Sequence, residues 1–115
     1  MEQNVTIKVA NVLMHHLTSL GAGQLDELML DYTDDSILMS PDQTFHGVAE
    51  IRAFFQAAIA GFPPELMKAF MMIRQDIQGE VIYITWKAEP FIKMGTDTFV
   101  IRDGKIAVQI VLMVS

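Results

Sequence analysis

The feature that most constrains this chain is a change in the period of its apolar residues. Apart from one short hairpin, they recur at helical spacing as far as Phe62 and alternate along extended strands beyond it. Val5, Val9, Val12, Leu13, Leu17 and Leu20 form the stripe of a first amphipathic helix, which Gly21-Ala22-Gly23 stops. Leu25, Leu28, Met29 and Tyr32 restart the helical spacing as a short second helix. Ser36 to Ser40 is apolar and β-favouring, Pro41-Asp42 is a turn signal, and Thr44-Phe45-His46 reads as the returning strand. A third helix follows through Val48, Ile51, Phe54, Phe55, Ala58 and Phe62, ended by Gly61 and Pro63-Pro64.

After that stop the alternating runs begin. Met67, Ala69, Met71 and Ile73 form one, and Ile82, Ile84, Trp86 and Ala88 another beyond a Gln78-Gly79 turn. Asp97, Phe99 and Ile101 share a face in the next run, and Asp103-Gly104 is a hairpin signal. The last run carries Ile106, Val108, Ile110, Leu112 and Val114 on one face and Ala107, Val111 and Met113 on the other. The expectation is an α+β fold in which three helices from the N-terminal half cover one face of a mixed, mostly antiparallel sheet. Because both faces of the final run are apolar, the outer sheet face is expected to pair with a second copy as a homodimer.

Composition narrows the function. With 115 residues, 51% apolar and 19% charged, the chain reads as one globular domain spanning residues 1–115, with more apolar surface than one small core holds. A net charge of −6 repels phosphate backbones, which argues against nucleic acid. There is no cysteine, hence no disulfide and no thiolate metal site, and neither a phosphate loop nor a His-x-x-x-His pair occurs. No cofactor and no metal are expected. Met1 to Lys8 lacks the order of a secretory leader and no run is long enough for a membrane span, so a cytoplasmic location away from membranes is expected.

Two polar residues sit where the pattern demands apolar ones. On a wheel of 100° per residue, His16 lies in the middle of the first helix's stripe and His15 to one flank. His16 is open to two readings, a core histidine satisfied by one hydrogen bond or a base or donor in a pocket. Asp97 has the strand parity of Phe99 and Ile101, so it is either buried with a partner or turned to water by a bend at Gly95. The two together suggest a dyad in which Asp97 orients His16 and holds its charged form, or a structural pair tying the first helix to the sheet. Trp86 reads as pocket wall or core, and Tyr32 as core with its hydroxyl near the rim. Asp31, Asp34 and Asp35 read as a solvated charge run. Nine methionines, Met39 among them, suit an adaptable apolar lining for a small hydrophobic ligand.

Three stretches carry a family resemblance: Leu20-Gly-Ala-Gly-Gln-Leu-Asp26 leading to Tyr32-Thr-Asp-Asp35, Phe45-His-Gly-Val-Ala-Glu-Ile-Arg-Ala-Phe-Phe55, and Gly95-Thr-Asp-Thr-Phe-Val-Ile-Arg-Asp-Gly-Lys-Ile106. In that order and spacing the chain resembles the NTF2-like superfamily, and within it the SnoaL-like and ketosteroid-isomerase-like proteins. The resemblance implies the cone of that cystatin-like fold, a bent sheet wrapped around a deep apolar pocket. It also sets His16 where ketosteroid isomerases have an oxyanion-stabilising Tyr, Asp97 where they keep a second oxyanion donor, and Ser40 where they have the carboxylate base.

The resulting expectation is a cofactor-independent isomerase, cyclase or lyase that moves a proton on a hydrophobic carbonyl-type compound. Its acid-base set is His16 and Asp97, with Ser40, Tyr32, Phe55, Trp86 and Met39 against the substrate. The alternative is a non-catalytic binding module for an apolar ligand, or a dimeric interaction domain.

Overall fold

The computed structural model describes residues 2–115, with side chains from Val5 onward. Helix α1 (Glu2–Gly21) and the short α2 (Leu25–Met29) are followed by strands β1 (Ile37–Met39) and β2 (Thr44–His46). Helices α3 (Gly47–Gly61) and α4 (Pro64–Ala69) come next, and then the long strands β3 (Met71–Gln78), β4 (Val81–Ala88), β5 (Ile92–Arg102) and β6 (Lys105–Val114). The strands form one sheet in the order β2-β1-β6-β5-β4-β3, antiparallel throughout except for the parallel pair β1 and β6. This is the expected α+β arrangement, a curved mixed sheet closed into a cone by helices on its inner face. Among the described residues no helix is long and apolar enough to cross a membrane.

The local reasons match the sequence in most places. On α1 the stripe Val9, Val12, Leu13 and His16 is buried, and it packs on Leu28 and Met29 of α2 and the apolar inner sheet face. The tight β5–β6 hairpin puts Asp103 at φ 54° and Gly104 at φ 75°. Both central residues are left-handed, as the favoured two-residue hairpin requires, and an Asp-Gly pair adopts that conformation at least cost.

Two elements differ from the reading of the sequence. Residues 64–69 form α4, so there are four helices among the described residues, and Met67 and Ala69 belong to it instead of to a strand. Pro63-Pro64 stops α3 and also starts α4, because proline in the first helical turn forgoes a hydrogen bond that no carbonyl there would have accepted. In β3 the register shifts between Met72 and Arg74, and both Met71 and Ile73 face solvent.

The second difference lies in β6. Val108 pairs with Val100 but Ile106 pairs with Ile101, so Ala107 is an extra residue bulged out of the ladder. Side-chain parity flips at that point. Ile106 faces inward, and beyond the bulge Gln109 and Val111 do so, while Ile110, Leu112 and Val114 lie on the outer face. Counting by twos from Ile106 gave the opposite assignment.

Candidate functional site

The open end of the cone is lined by His16, Leu17 and Leu20 of α1, Phe54, Phe55 and Ala58 of α3, and Phe62, Leu66, Met67 and Phe70 in and around α4. The sheet contributes Ile84 and Trp86 of β4, Asp97 of β5, and Gln109, Val111 and Met113 of β6. The free space among them is about 70 Å³, enough for a few water-sized groups. Its walls are apolar except at one end, where His16, Asp97 and Gln109 converge.

Each of these polar groups is held by its neighbours. Strand pairing sets Gly95 opposite Trp86, and a Cβ there would lie only 2.1 Å from the indole, so the absent side chain is what lets the ring lie across β5. From that position Trp86 Nε1 donates to Asp97 Oδ2 at 2.9 Å. The Ala107 bulge turns Gln109 inward, and its Nε2 donates to Asp97 Oδ1 at 3.0 Å. Gln109 Oε1 in turn accepts from the Tyr32 hydroxyl, and the Tyr32 oxygen lies 3.4 Å from His16 Nδ1. The result is a single chain of polar contacts, His16 to Tyr32 to Gln109 to Asp97 to Trp86, drawn from α1, the segment after α2, β6, β5 and β4.

His16 and Asp97 therefore share a cavity without bonding to each other, which alters the dyad expected from the sequence. The His16 ring is 2% exposed and is packed edge-on by Tyr32, Phe55 and Phe99, with centroids 5.2 to 6.4 Å away. Burial, followed by the neighbouring His15, pulls its pKa down to about 4, so the imidazole is neutral near pH 7. Asp97 does not hold it charged. Burial pushes the Asp97 carboxyl up to about 6, against the Gln109 and Trp86 donors that pull it down. Tyr32 is driven well above the ordinary phenol value, chiefly by burial and then by Asp97 and Asp31, and keeps its proton.

Of the remaining expected contacts, Phe55 and Trp86 line the cavity and Tyr32 lies behind its polar end. Ser40 and Met39 do not reach it. Strand β1 is only three residues long and turns Leu38 inward, which sends Met39 to the outer face opposite Ile110; Ser40 then closes the β1–β2 turn on Gln43. Gln109 is the site residue that sequence reasoning missed. Its one signal was being the sole polar residue between Ile106 and Val114, and the unseen bulge put it on the wrong face. Asp31 was misread as well, since it is buried and both of its oxygens lie 2.7 and 2.8 Å from His15 Nδ1. Among the described residues no three His, Asp or Glu side chains are placed to hold a metal ion.

The SnoaL-like domain profile matches residues 14–109, which is most of the chain and contains every member of the polar chain just described. This protein belongs to the SnoaL-like family. Solved structures agree on the fold. A SnoaL-like protein of unknown function from Burkholderia thailandensis has a TM-score of 0.78 at 14% identity, covering 95% of this chain and 97% of that one. An NTF2-like protein of unknown function from Burkholderia xenovorans has a TM-score of 0.75 at 19% identity, with 94% and 84% covered. A candidate polyketide cyclase from Sinorhizobium meliloti has a TM-score of 0.74 at 16% identity, with 89% and 94% covered. No curated protein matches the chain in sequence. At these identities the likeness is one of fold, and one fold can host unrelated chemistries, so the residues of the cavity must carry any argument about activity.

Proposed function

We propose that this SnoaL-like protein binds a small, uncharged, largely apolar molecule in the cone and that Asp97 moves a proton on it, as in an isomerisation or an elimination. One observation carries this reading: a carboxylate buried in an otherwise apolar cavity, with one donor on each oxygen and a pKa near 6. Such a group is mostly ionised at pH 7 and is a stronger base than an ordinary Asp. In an isomerisation it takes a proton from carbon next to a carbonyl, the electron pair passes into the carbonyl, and the same proton returns at another carbon. In an elimination the electron pair expels a leaving group instead. His16 is neutral throughout and contacts the substrate as a hydrogen-bonding partner, which reverses the roles the sequence suggested for the two residues.

The test is turnover of candidate carbonyl and β-substituted apolar compounds by the intact chain and by Asp97→Asn and His16→Gln. Loss of about a hundredfold or more in Asp97→Asn, with rates falling below pH 6, supports the reading. Unchanged turnover in that variant sinks it. If neither protein turns anything over while both bind the same ligand, the protein is a binding module.

The outer sheet face supports a homodimer. Ile110, Leu112 and Val114 of β6 lie beside Met39 of β1 and Met94 of β5, all exposed in the single chain, and pairing two such faces would remove them from water. Gel filtration should give a dimer that Ile110→Lys with Leu112→Lys converts to monomer.

A further inference from the structure

The polar chain has a direction, and the direction determines what the cavity offers its occupant. Tyr32 has a single hydroxyl proton, and it goes to Gln109 Oε1. Gln109 is held in that orientation because its other end, the Nε2 amide, donates to Asp97; an inverted amide would set its carbonyl against a carboxylate oxygen. The Tyr32 oxygen thus presents lone pairs to His16 Nδ1 at 3.4 Å, so that nitrogen must hold the ring proton to avoid facing lone pair with lone pair. A neutral imidazole has only one proton, which leaves Nε2 bare. Nε2 has no hydrogen-bond partner among the described residues, yet no side-chain nitrogen or oxygen is sealed off unpartnered, so it must open on the cavity that His16 lines. Asp97, facing the same space, receives a donor on each oxygen, the arrangement of an ionised carboxylate with lone pairs to spare. The only uncommitted donor hydrogen in the chain is the second one on Gln109 Nε2, which is outnumbered at this end of the cavity by His16 Nε2 and the free lone pairs of Asp97.

We infer that Gln109 makes the polar end of the cavity a pair of acceptors, Asp97 and His16 Nε2, and so selects small uncharged apolar molecules that carry an O–H or N–H group over counterparts that lack one. This rests on the reading of the cavity as the ligand site and adds the class of polar group the ligand bears. The charged groups behind the chain, His15 and Asp31, pair with each other and present nothing to the cavity. A donor-bearing ligand satisfies an acceptor that would otherwise be desolvated without a partner, whereas an ether of the same shape leaves it unpaired.

The experiment uses the full chain with ¹⁵N-labelled histidine and two matched probes, phenol and anisole. Nitrogen spectra near pH 7.5 should show His16 with its proton on Nδ1; a proton on Nε2 overturns the inference. Phenol should bind about tenfold or more tightly than anisole and perturb His16 Nε2. Equal affinities, or no phenol binding, overturn it. Gln109→Leu frees the Tyr32 hydroxyl to donate to Nδ1, so the ring proton should move to Nε2 and the preference for phenol should fall to what Asp97 alone supports. Tyr32→Phe cuts the same link and provides the second variant should Gln109→Leu not fold; retention of the Nδ1 proton and of the full preference in a folded variant of either kind counts against the role of the chain. A protein that prefers phenol and turns over nothing defeats the catalytic reading and leaves this one standing. Turnover without the preference does the reverse.

Discussion

His15 and His16 are neighbours on one helix, with the same side chain and opposite electrostatic fates. His15 points to the flank of α1, where Nδ1 meets Asp31 and Nε2 lies 2.8 Å from Glu27, and those two carboxylates hold its pKa above the ordinary 6.5. His16 points a third of a turn away into a shell of Phe55, Phe99 and Tyr32 rings, and burial pulls it to about 4. The 100° step between adjacent helical residues separates an imidazole held between two carboxylates at the surface from a neutral ring lining a cavity. The lesson is that burial decides the charge of a titratable group only where no counter-charge is within reach.

The largest effect should come from placing a fixed charge on each side of this boundary. His16→Lys puts an unpaired ammonium among aromatic rings and should cost about 3–5 kcal/mol by urea denaturation at pH 7, whereas His15→Lys keeps its charge beside Asp31 and Glu27 and should cost less than ~1 kcal/mol. Equal losses would mean that the two flanks of α1 do not differ as described.

Next in size is Asp97→Asn. The folded carboxyl has its pKa raised from 3.8 to about 6, so its ionisation opposes folding: stability is full below about pH 4 and declines as pH rises through 6. Removing the charge should shift stability relative to the intact chain by about 1–3 kcal/mol in the variant's favour between about pH 4 and pH 7 in thermal melts, on top of a pH-independent loss from setting the new amide NH2 against the Trp86 or Gln109 donor. A gain that persists at pH 4 would trace to packing instead of charge.

The same variant exposes His16. Because its folded pKa lies below the unfolded 6.5, its contribution to stability is full above pH 6.5 and is lost as pH falls toward 4. In the intact chain this loss is offset over pH 4–6 by the gain from Asp97, so the melting temperature should be nearly flat there. In Asp97→Asn it should slope down toward acid by about one proton's worth, measured by calorimetry, and His16→Gln in that background should flatten it again.

The smallest effect belongs to the outer pair. His15→Ala should cost about 1 kcal/mol or less near pH 6, and because the pKa of His15 is raised on folding, the difference from the intact chain should shrink as pH rises beyond it. A cost that grows with pH would mean that His15 acts as a neutral packing residue.

Much of this was legible before the fold was known. The stripe of α1 put His16 inside and His15 at the edge, and the alternation of Asp97 with Phe99 and Ile101 put a carboxyl on the core face; both placements hold. These are properties of one helix or one strand, where a fixed geometric period converts position into direction. The Asp-Gly turn was equally local.

What only the tertiary structure decided is who meets whom. The bulge at Ala107 arises from the pairing of β6 with β5, and nothing in the apolar run of β6 marks where the parity changes; yet it alone brings Gln109 to Asp97 and Tyr32. The pairing of His15 with Asp31, the outward turn of Met39, and the retreat of Ser40 into a turn likewise depend on how separate elements dock. Periodicity reports the face a residue occupies because it is repeated along a single element, whereas the register between strands and the contacts between distant segments follow from the packing of the whole chain, of which no local stretch holds a record.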